Sequence, residues 1–359
     1  MNLFTLFDEA KELKASDIHL ATGEIPCVRV SGELIRLDMP ALDREAFTAL
    51  LEPMLTAELR ARVDSGLPVE HQILHGNLSF AGIAFRVGNT GLAATFRMLP
   101  GGIPAIEKIG DLAMPLLEKI AETARGFVLI SGPTGSGKWT TACSIVDAIN
   151  EKKAARIFVV ENQPNYRFKS KRGLVTQLSV GQDCDSCVRA LEIAHQADPD
   201  VIAVDDIPTV EALRQLMILA ETGHLVIASL HANSVVDAVK RLFESAEGTG
   251  EALRVALAEN LVAITCQRLL KRADGTGRVP AYQWIAATPA VRETLLAGDL
   301  ARLEELQGTD PDCRSLELAL NMLLESGLIS ESDPPDELTR LRALVDAKGN
   351  GLPPPVKTF

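Results

Sequence analysis

The chain has no apolar run long and uninterrupted enough to cross a bilayer, which takes about 20 consecutive residues, so nothing in it reads as a membrane span. It also lacks a basic excess. Its 36 lysines and arginines face 48 aspartates and glutamates, and the formal net charge of −12 counts against a general nucleic-acid binder. The first residues, MNLFTLFDEAKELKASD, lack the basic start and apolar core of a signal peptide, which makes a cytosolic setting the expectation. Six cysteines scattered over this length form no disulfide framework. Their one close pair, Cys184 and Cys187 in VGQDCDSCVRA, lacks both the second ligand pair of a zinc site and a thioredoxin-like setting, so chance spacing explains it. The local basic cluster of Arg167, Lys169, Lys171 and Arg172 would suit docking on a membrane, but a solvated loop explains it better.

What is present is an ordinary soluble composition, 47% hydrophobic and 23% charged, with 359 residues to build two domains. The first hundred residues read as a small α+β domain. LFTLFDEAKELKA has helical apolar spacing and leads into SDIHLATG. VRVSGELIRL alternates about a Ser-Gly turn as a hairpin does. One long helix over DREAFTALLEPMLTAELRARVDSG and strands over LSFAGIAFRVG and GLAATFRML complete it. PGGIPAIEKIG reads as a linker. The expected boundaries are residues 1–99, a linker at 100–110, a second domain at 111–332 and a loosely ordered tail at 333–359.

From Arg125 the pattern becomes α/β. FVLIS, RIFVVE, VIAVDD and LVIASLH are strand-like runs separated by the helical stretches WTTACSIVDAINEKK, CVRALEIAHQ and TVEALRQLMILAETG. That alternation predicts a parallel sheet covered on both faces, and past Val235 the pattern predicts helices to about Ser330.

The stretch GPTGSGKWTT carries the chemistry. Gly132, Gly135 and Gly137 let successive backbone N–H groups converge on phosphate. Pro133, Thr134 and Ser136 fill the loop, and Lys138 adds a full positive charge at the start of a helix. The next position should carry a Ser or Thr hydroxyl for Mg²⁺ and carries Trp139 instead, whose indole has an N–H donor and no acceptor. Thr140 is next door, but one residue along a helix turns a side chain by about 100°.

Several blocks together resemble the PilT-like pilus-retraction ATPases of the type II/type IV secretion ATPase superfamily. They are ASDIHL, PCVRVSGEL, FRMLP, RGFVLISGPTGSGK, DPDVIAVDD, ETGHLVIASLHANS and TPAVRETL, in family order over roughly residues 1–330. The resemblance implies a PAS-like α+β N-terminal domain followed by a RecA-like P-loop NTPase domain with C-terminal helices. It also implies ATP with Mg²⁺ as cofactors and a ring of six subunits on the cytoplasmic side of a type IV pilus machine. The ring would be a homo-hexamer, or mixed with a related pilus ATPase, working against an inner-membrane platform protein in twitching motility, with no nucleic-acid partner.

Set against the family, the chain departs at the catalytic positions. The family's EDPIE-like acidic box reads ENQPNY here, so Glu161 keeps the first acid while Asn162 and Asn165 fall where acids are expected. An amide orients water but accepts no proton near neutral pH. DPDVIAVDD puts Asp206 on the Walker B Glu, one methylene shorter, as the remaining weak candidate for Mg²⁺. Glu192, Gln196 and Pro208 occupy the family's arginine positions. Arg86 and Arg97 remain as candidates for acting on a neighbour's nucleotide. His231 matches the family's His box, a candidate sensor of the γ-phosphate, and His224 reads as structural.

The replaced groups all bear on one step, metal-assisted attack on the γ-phosphate. The leading expectation is a nucleotide-binding ring subunit that hydrolyses ATP poorly or not at all. The alternatives are a working ATPase using Asp206, Glu161 and Thr140, and a non-nucleotide scaffold with Trp139 filling the pocket.

Overall fold

The computed structural model describes residues 2–330, except 31–32, 53–55, 76–77, 89–90, 100, 111, 246–249 and 276. The expected tail at 333–359 lies outside the described residues. The chain forms two compact units: Met1–Ile103 with Gln163–Arg167, and Pro104–Asn162 with Phe168–Phe359.

The first unit opens with α1 (Leu3–Glu12). Asn2 caps it, its Oδ1 accepting the Thr5 N–H at 2.9 Å, and the helix buries Leu3, Leu6, Phe7 and Ala10 along one stripe. Strands β1 (Asp17–Ala21), β2 (Cys27–Val30) and β3 (Glu33–Arg36) follow, then α2 (Arg44–Leu51) and α3 (Ala57–Asp64). The single helix expected here is two, α2 and α3, with Pro53 in the stretch between them, and a proline has no backbone N–H to continue a helical ladder. β4 (Val69–His75), which the sequence patterns did not suggest, pairs with β5 (Leu78–Val87), and β6 (Gly91–Met98) completes an antiparallel sheet of order β3-β2-β1-β6-β5-β4. Its core is aromatic, with Phe7, Phe47, Phe80 and Phe96 fully buried.

The second unit is RecA-like. It runs α4 (Ile106–Ile109), α5 (Met114–Glu122), β7 (Gly126–Gly132), α6 (Lys138–Lys152), β8 (Arg156–Glu161) and β9 (Leu174–Ser179). Next come α7 (Cys187–Gln196), β10 (Val201–Val204), α8 (Val210–Glu221), β11 (Leu225–His231), α9 (Val235–Ser245) and α10 (Gly250–Asn260). The last elements are β12 (Leu261–Lys271), β13 (Arg278–Ala286), α11 (Pro289–Ala297), α12 (Leu300–Thr309) and α13 (Leu316–Glu325). The sheet order is β13-β12-β7-β11-β10-β8-β9, parallel except for β13. Phe127 and Leu129 of β7 pack with residues of α7, α8 and α10, and the alternate Val128 and Ile130 are equally buried on the other face. With neither face wet, the strand reads as a continuous apolar run.

The expectation of helices alone past Val235 is corrected by β12 and β13, and β9 was also unforeseen. β12 is buried along most of both faces, so its sequence, LVAITCQRLLK, lacks the alternation that separates a strand from a buried helix. The TPAVRETL block becomes α11. Its Arg292 donates to the carbonyls of Ala258, Glu259 and Leu261, satisfying the open end of α10 where it turns into β12. The basic cluster also has local partners within this unit: Lys171 Nζ sits 2.9 Å from Asp147 and 3.4 Å from Glu151, and Arg172 donates to the Lys152 carbonyl. Among the described residues, no helix is long and apolar enough to cross a membrane.

Candidate functional site

In a parallel sheet, the groups at the carboxyl ends of neighbouring strands face one crevice. The sheet order places β7, β11, β10 and β8 side by side, which gathers the phosphate loop, His231, Asp205 with Asp206, and Glu161 at that end. The register pairs His231 with Gly132 directly.

The loop has the backbone its glycines predict. Gly135 and Gly137 lie in the left-handed region, at φ 74° and 84°, and Gly137 is the N-cap of α6. Lys138 is buried, its ammonium 3.1 Å from the Pro133 carbonyl oxygen and 3.4 Å from His231 Nδ1. Burial holds that ammonium below its ordinary pKa, and the charge of Asp206 works in the opposite direction. A residue the sequence reading missed fixes the loop from below: Gln267 of β12, itself buried, donates from Nε2 to the Ser136 carbonyl at 2.7 Å. A polar side chain inside the apolar run ITCQRLL was the available signal.

Trp139 does not simply fill space. Its Nε1–H donates to Glu161 Oε2 at 3.0 Å. The other carboxylate oxygen, Oε1, accepts from Gln177 Nε2 at 2.8 Å. Gln177 lies opposite Val159 in the β8–β9 register, so its side chain shares a face with Glu161 two residues on. Its amide is oriented because the Phe168 N–H donates to Gln177 Oε1 at 2.9 Å. Glu161 itself is 1% exposed. The carboxylate of Glu161 is therefore held at both oxygens by N–H donors, one from Trp139 and one from the unforeseen β9.

Asp205 and Asp206 differ in role. Asp205 turns toward the end of β8, accepting the Asn162 N–H at 2.8 Å and the Asn162 Nδ2 at 3.3 Å. Burial, with the neighbouring Asp206, pushes its carboxyl up to about 6, against the pull of the Asn162 hydrogen bonds. Between roughly pH 4 and pH 6 the folded chain then holds a proton that the unfolded chain has released, so this group's contribution favours folding below that window and falls as pH rises through it. Asp205→Asn is expected to raise the unfolding free energy by about 2 kcal/mol at pH 8, with the gap closing toward pH 4. Urea unfolding at the two pH values checks this, and an equal effect at both would mean that the charge of Asp205 is not what matters.

The remaining candidates fall in different places. Asn165 belongs to the Gln163–Arg167 segment that groups with the first unit. Arg86 and Arg97 also lie in that unit: Arg86 donates to the Asp64 carbonyl at 2.9 Å, and Arg97 Nε pairs with Asp17 at 3.0 Å. At two positions expected to carry arginines, Glu192 is paired with Arg189 at 2.8 Å, and Gln196 ends α7. His224 Nδ1 lies 2.8 Å from the Leu219 carbonyl, at the end of α8. Cys184 and Cys187 are free thiols, and burial, reinforced by Asp205, pushes Cys187 up to about 12. Among the described residues no cluster of three or more His, Cys, Asp or Glu could hold a metal.

A RecA-like sheet with a glycine-rich loop between β7 and α6, a buried lysine at the helix start and acids on adjoining strand ends defines a P-loop NTPase fold. The family model of type II/IV secretion system proteins matches residues 3–314. The chain is 30% identical over 340 residues to the type IV pilus retraction ATPase PilT of Pseudomonas aeruginosa, covering 93% of this chain and 97% of that one. It is 32% identical over 328 residues to a twitching motility protein of Neisseria gonorrhoeae, covering 89% and 87%. A crystal structure of the pilus retraction motor PilT with bound ADP matches with a TM-score of 0.85 at 34% identity, over 95% of this chain and 99% of that one. The chain belongs to the PilT-like type II/IV secretion ATPase family.

The family implies Mg²⁺ beside the phosphates, and the residues here do not fit it. The ion requires near-octahedral oxygen ligands at about 2.0–2.1 Å. Trp139 offers only a donor, and a cation at Glu161 would compete with the N–H donors that Trp139 and Gln177 already place on its two oxygens. The oxygens of Asp205 receive Asn162. Among the described residues at this end of the sheet, the half-buried Asp206 accepts no hydrogen bond, and only the charge of Lys138 acts on it in competition with a cation.

Proposed function

We propose that this protein is a subunit of a type IV pilus retraction machine that binds nucleotide but hydrolyses it slowly or not at all. Its part in the machine is then structural or regulatory rather than that of sole motor. The observation that carries the reading is the closed carboxylate: Trp139 and Gln177 hold both oxygens of Glu161. A carboxylate that is 1% exposed and already carries an N–H donor on each oxygen is poorly placed to take a proton from water, and the amide of Asn165 cannot take its place. Nucleotide binding is supported by the intact glycines and the buried Lys138, and by a PilT relative whose solved structure holds ADP.

The same family membership supports the wider setting. The protein would assemble as a hexamer, alone or mixed with a related pilus ATPase, at the cytoplasmic face of the inner membrane against the pilus platform protein. Its first unit would be the PAS-like module of that ring. Steady-state hydrolysis in MgCl₂ tests the reading, together with the protein's mass in solution. The expected turnover is far below the usual enzyme range. Turnover of about 1 s⁻¹ or more that disappears in Lys138→Ala would overturn it in favour of a working motor.

A further inference from the structure

We infer that the phosphate loop takes its nucleoside di- or triphosphate without a divalent cation, with the Trp139 indole N–H standing where a metal-linked hydroxyl would be. The inference rests on the nucleotide-binding reading above and goes beyond it, because a slow hydrolase can still bind its nucleotide as the Mg²⁺ complex.

Binding a nucleotide needs positive charge or N–H dipoles around the phosphates, and the chain supplies these by itself. Gly132 to Gly137 provide the backbone cradle, α6 begins at its edge, and Lys138 is fixed there between the Pro133 carbonyl and His231. A divalent ion would normally add two functions: oxygen-mediated bridging of phosphates to the protein, and relief of the nearby carboxylates. The bridging ligand is absent at position 139. The relief comes from the protein instead. Glu161 receives two N–H donors, at 3.0 and 2.8 Å. Asp205 receives two from Asn162. Glu161, buried with an N–H donor on each oxygen, is thus satisfied internally, and an approaching cation would have to compete with those donors.

The test uses the full chain with fluorescent N-methylanthraniloyl ADP and ATP, each titrated in EDTA and in millimolar MgCl₂. The expected dissociation constants agree within about threefold between the two conditions. In Trp139→Ser, which restores a hydroxyl and frees one oxygen of Glu161, magnesium is expected to tighten binding by at least about tenfold. Electron paramagnetic resonance of Mn²⁺ added to the unaltered, ADP-loaded protein decides the point even if the variant fails to fold: free Mn²⁺ alone is expected, and a protein-bound, nucleotide-dependent Mn²⁺ signal overturns the inference. Magnesium tightening of about tenfold or more in the unaltered protein overturns it too while leaving nucleotide binding intact. No binding under either condition overturns both readings together.

Discussion

Gly132→Ala is expected to destabilise the second unit by about 2–4 kcal/mol and to cost at least about tenfold in nucleotide affinity. Gly132 ends β7 at φ 152°, and a Cβ there would stand 2.5 Å from the Gln267 carbonyl oxygen and 2.5 Å from Ser136 Oγ. The first of these is backbone of the adjoining strand β12, so relief requires moving the sheet or the loop rather than a flexible side-chain tip. Gly135 is the internal control. It has φ 74° with nothing within 4 Å of a built Cβ, so Gly135→Ala carries only the left-handed backbone cost of about 1–2 kcal/mol. Both tryptophans of the chain, Trp139 and Trp284, belong to the second unit, so tryptophan fluorescence during urea unfolding reports that unit separately. Equal losses in the two variants would show that the contact between the loop and β12 is not tight.

Repair of the closed carboxylate is the second large effect. Trp139→Ser removes the donor on Glu161 Oε2 and supplies a hydroxyl at that position, and Asn165→Glu supplies a carboxylate where the resemblance leads one to expect it. Gln177 stays in place, so Glu161 remains oriented through Oε1. The double variant is expected to gain at least about tenfold in magnesium-dependent turnover over the unaltered protein, with Trp139→Ser alone gaining less, since general-base catalysis contributes about 10²–10⁴ when complete. Activity in both variants is to be read beside their stability, because losing the half-buried indole costs about 1–3 kcal/mol of packing. No gain in a folded double variant would move the deficit to Glu192, Gln196 and Pro208, the positions expected to carry arginines that stabilise a transferring phosphoryl group.

Three residues of the site were legible in one dimension because they lie within one short stretch of the chain. Gly132, Gly137 and Lys138 act through backbone N–H groups and a helix start, which local spacing specifies, and the structure gives them that conformation. Trp139 was visible there as a foreign residue, and its donor-only chemistry followed from its type. The family blocks were equally local, and the strands over FVLIS, RIFVVE, VIAVDD and LVIASLH appear as β7, β8, β10 and β11.

What Trp139 does was not visible. Its partner lies 22 residues away on the end of β8, and Gln177 completes the arrangement from β9. Gln267 holds the loop from 131 residues away through β12, part of a region whose pattern suggested helices. By itself, the sequence determined that a phosphate loop is present with Trp139 where a hydroxyl is expected, and it led one to expect an amide, Asn165, in place of a second acid. Only the tertiary structure decided that the surviving acid, Glu161, is closed. The physical reason is that a hydrogen bond across a sheet depends on strand order and register, and strands buried on both faces leave no periodicity from which either can be read.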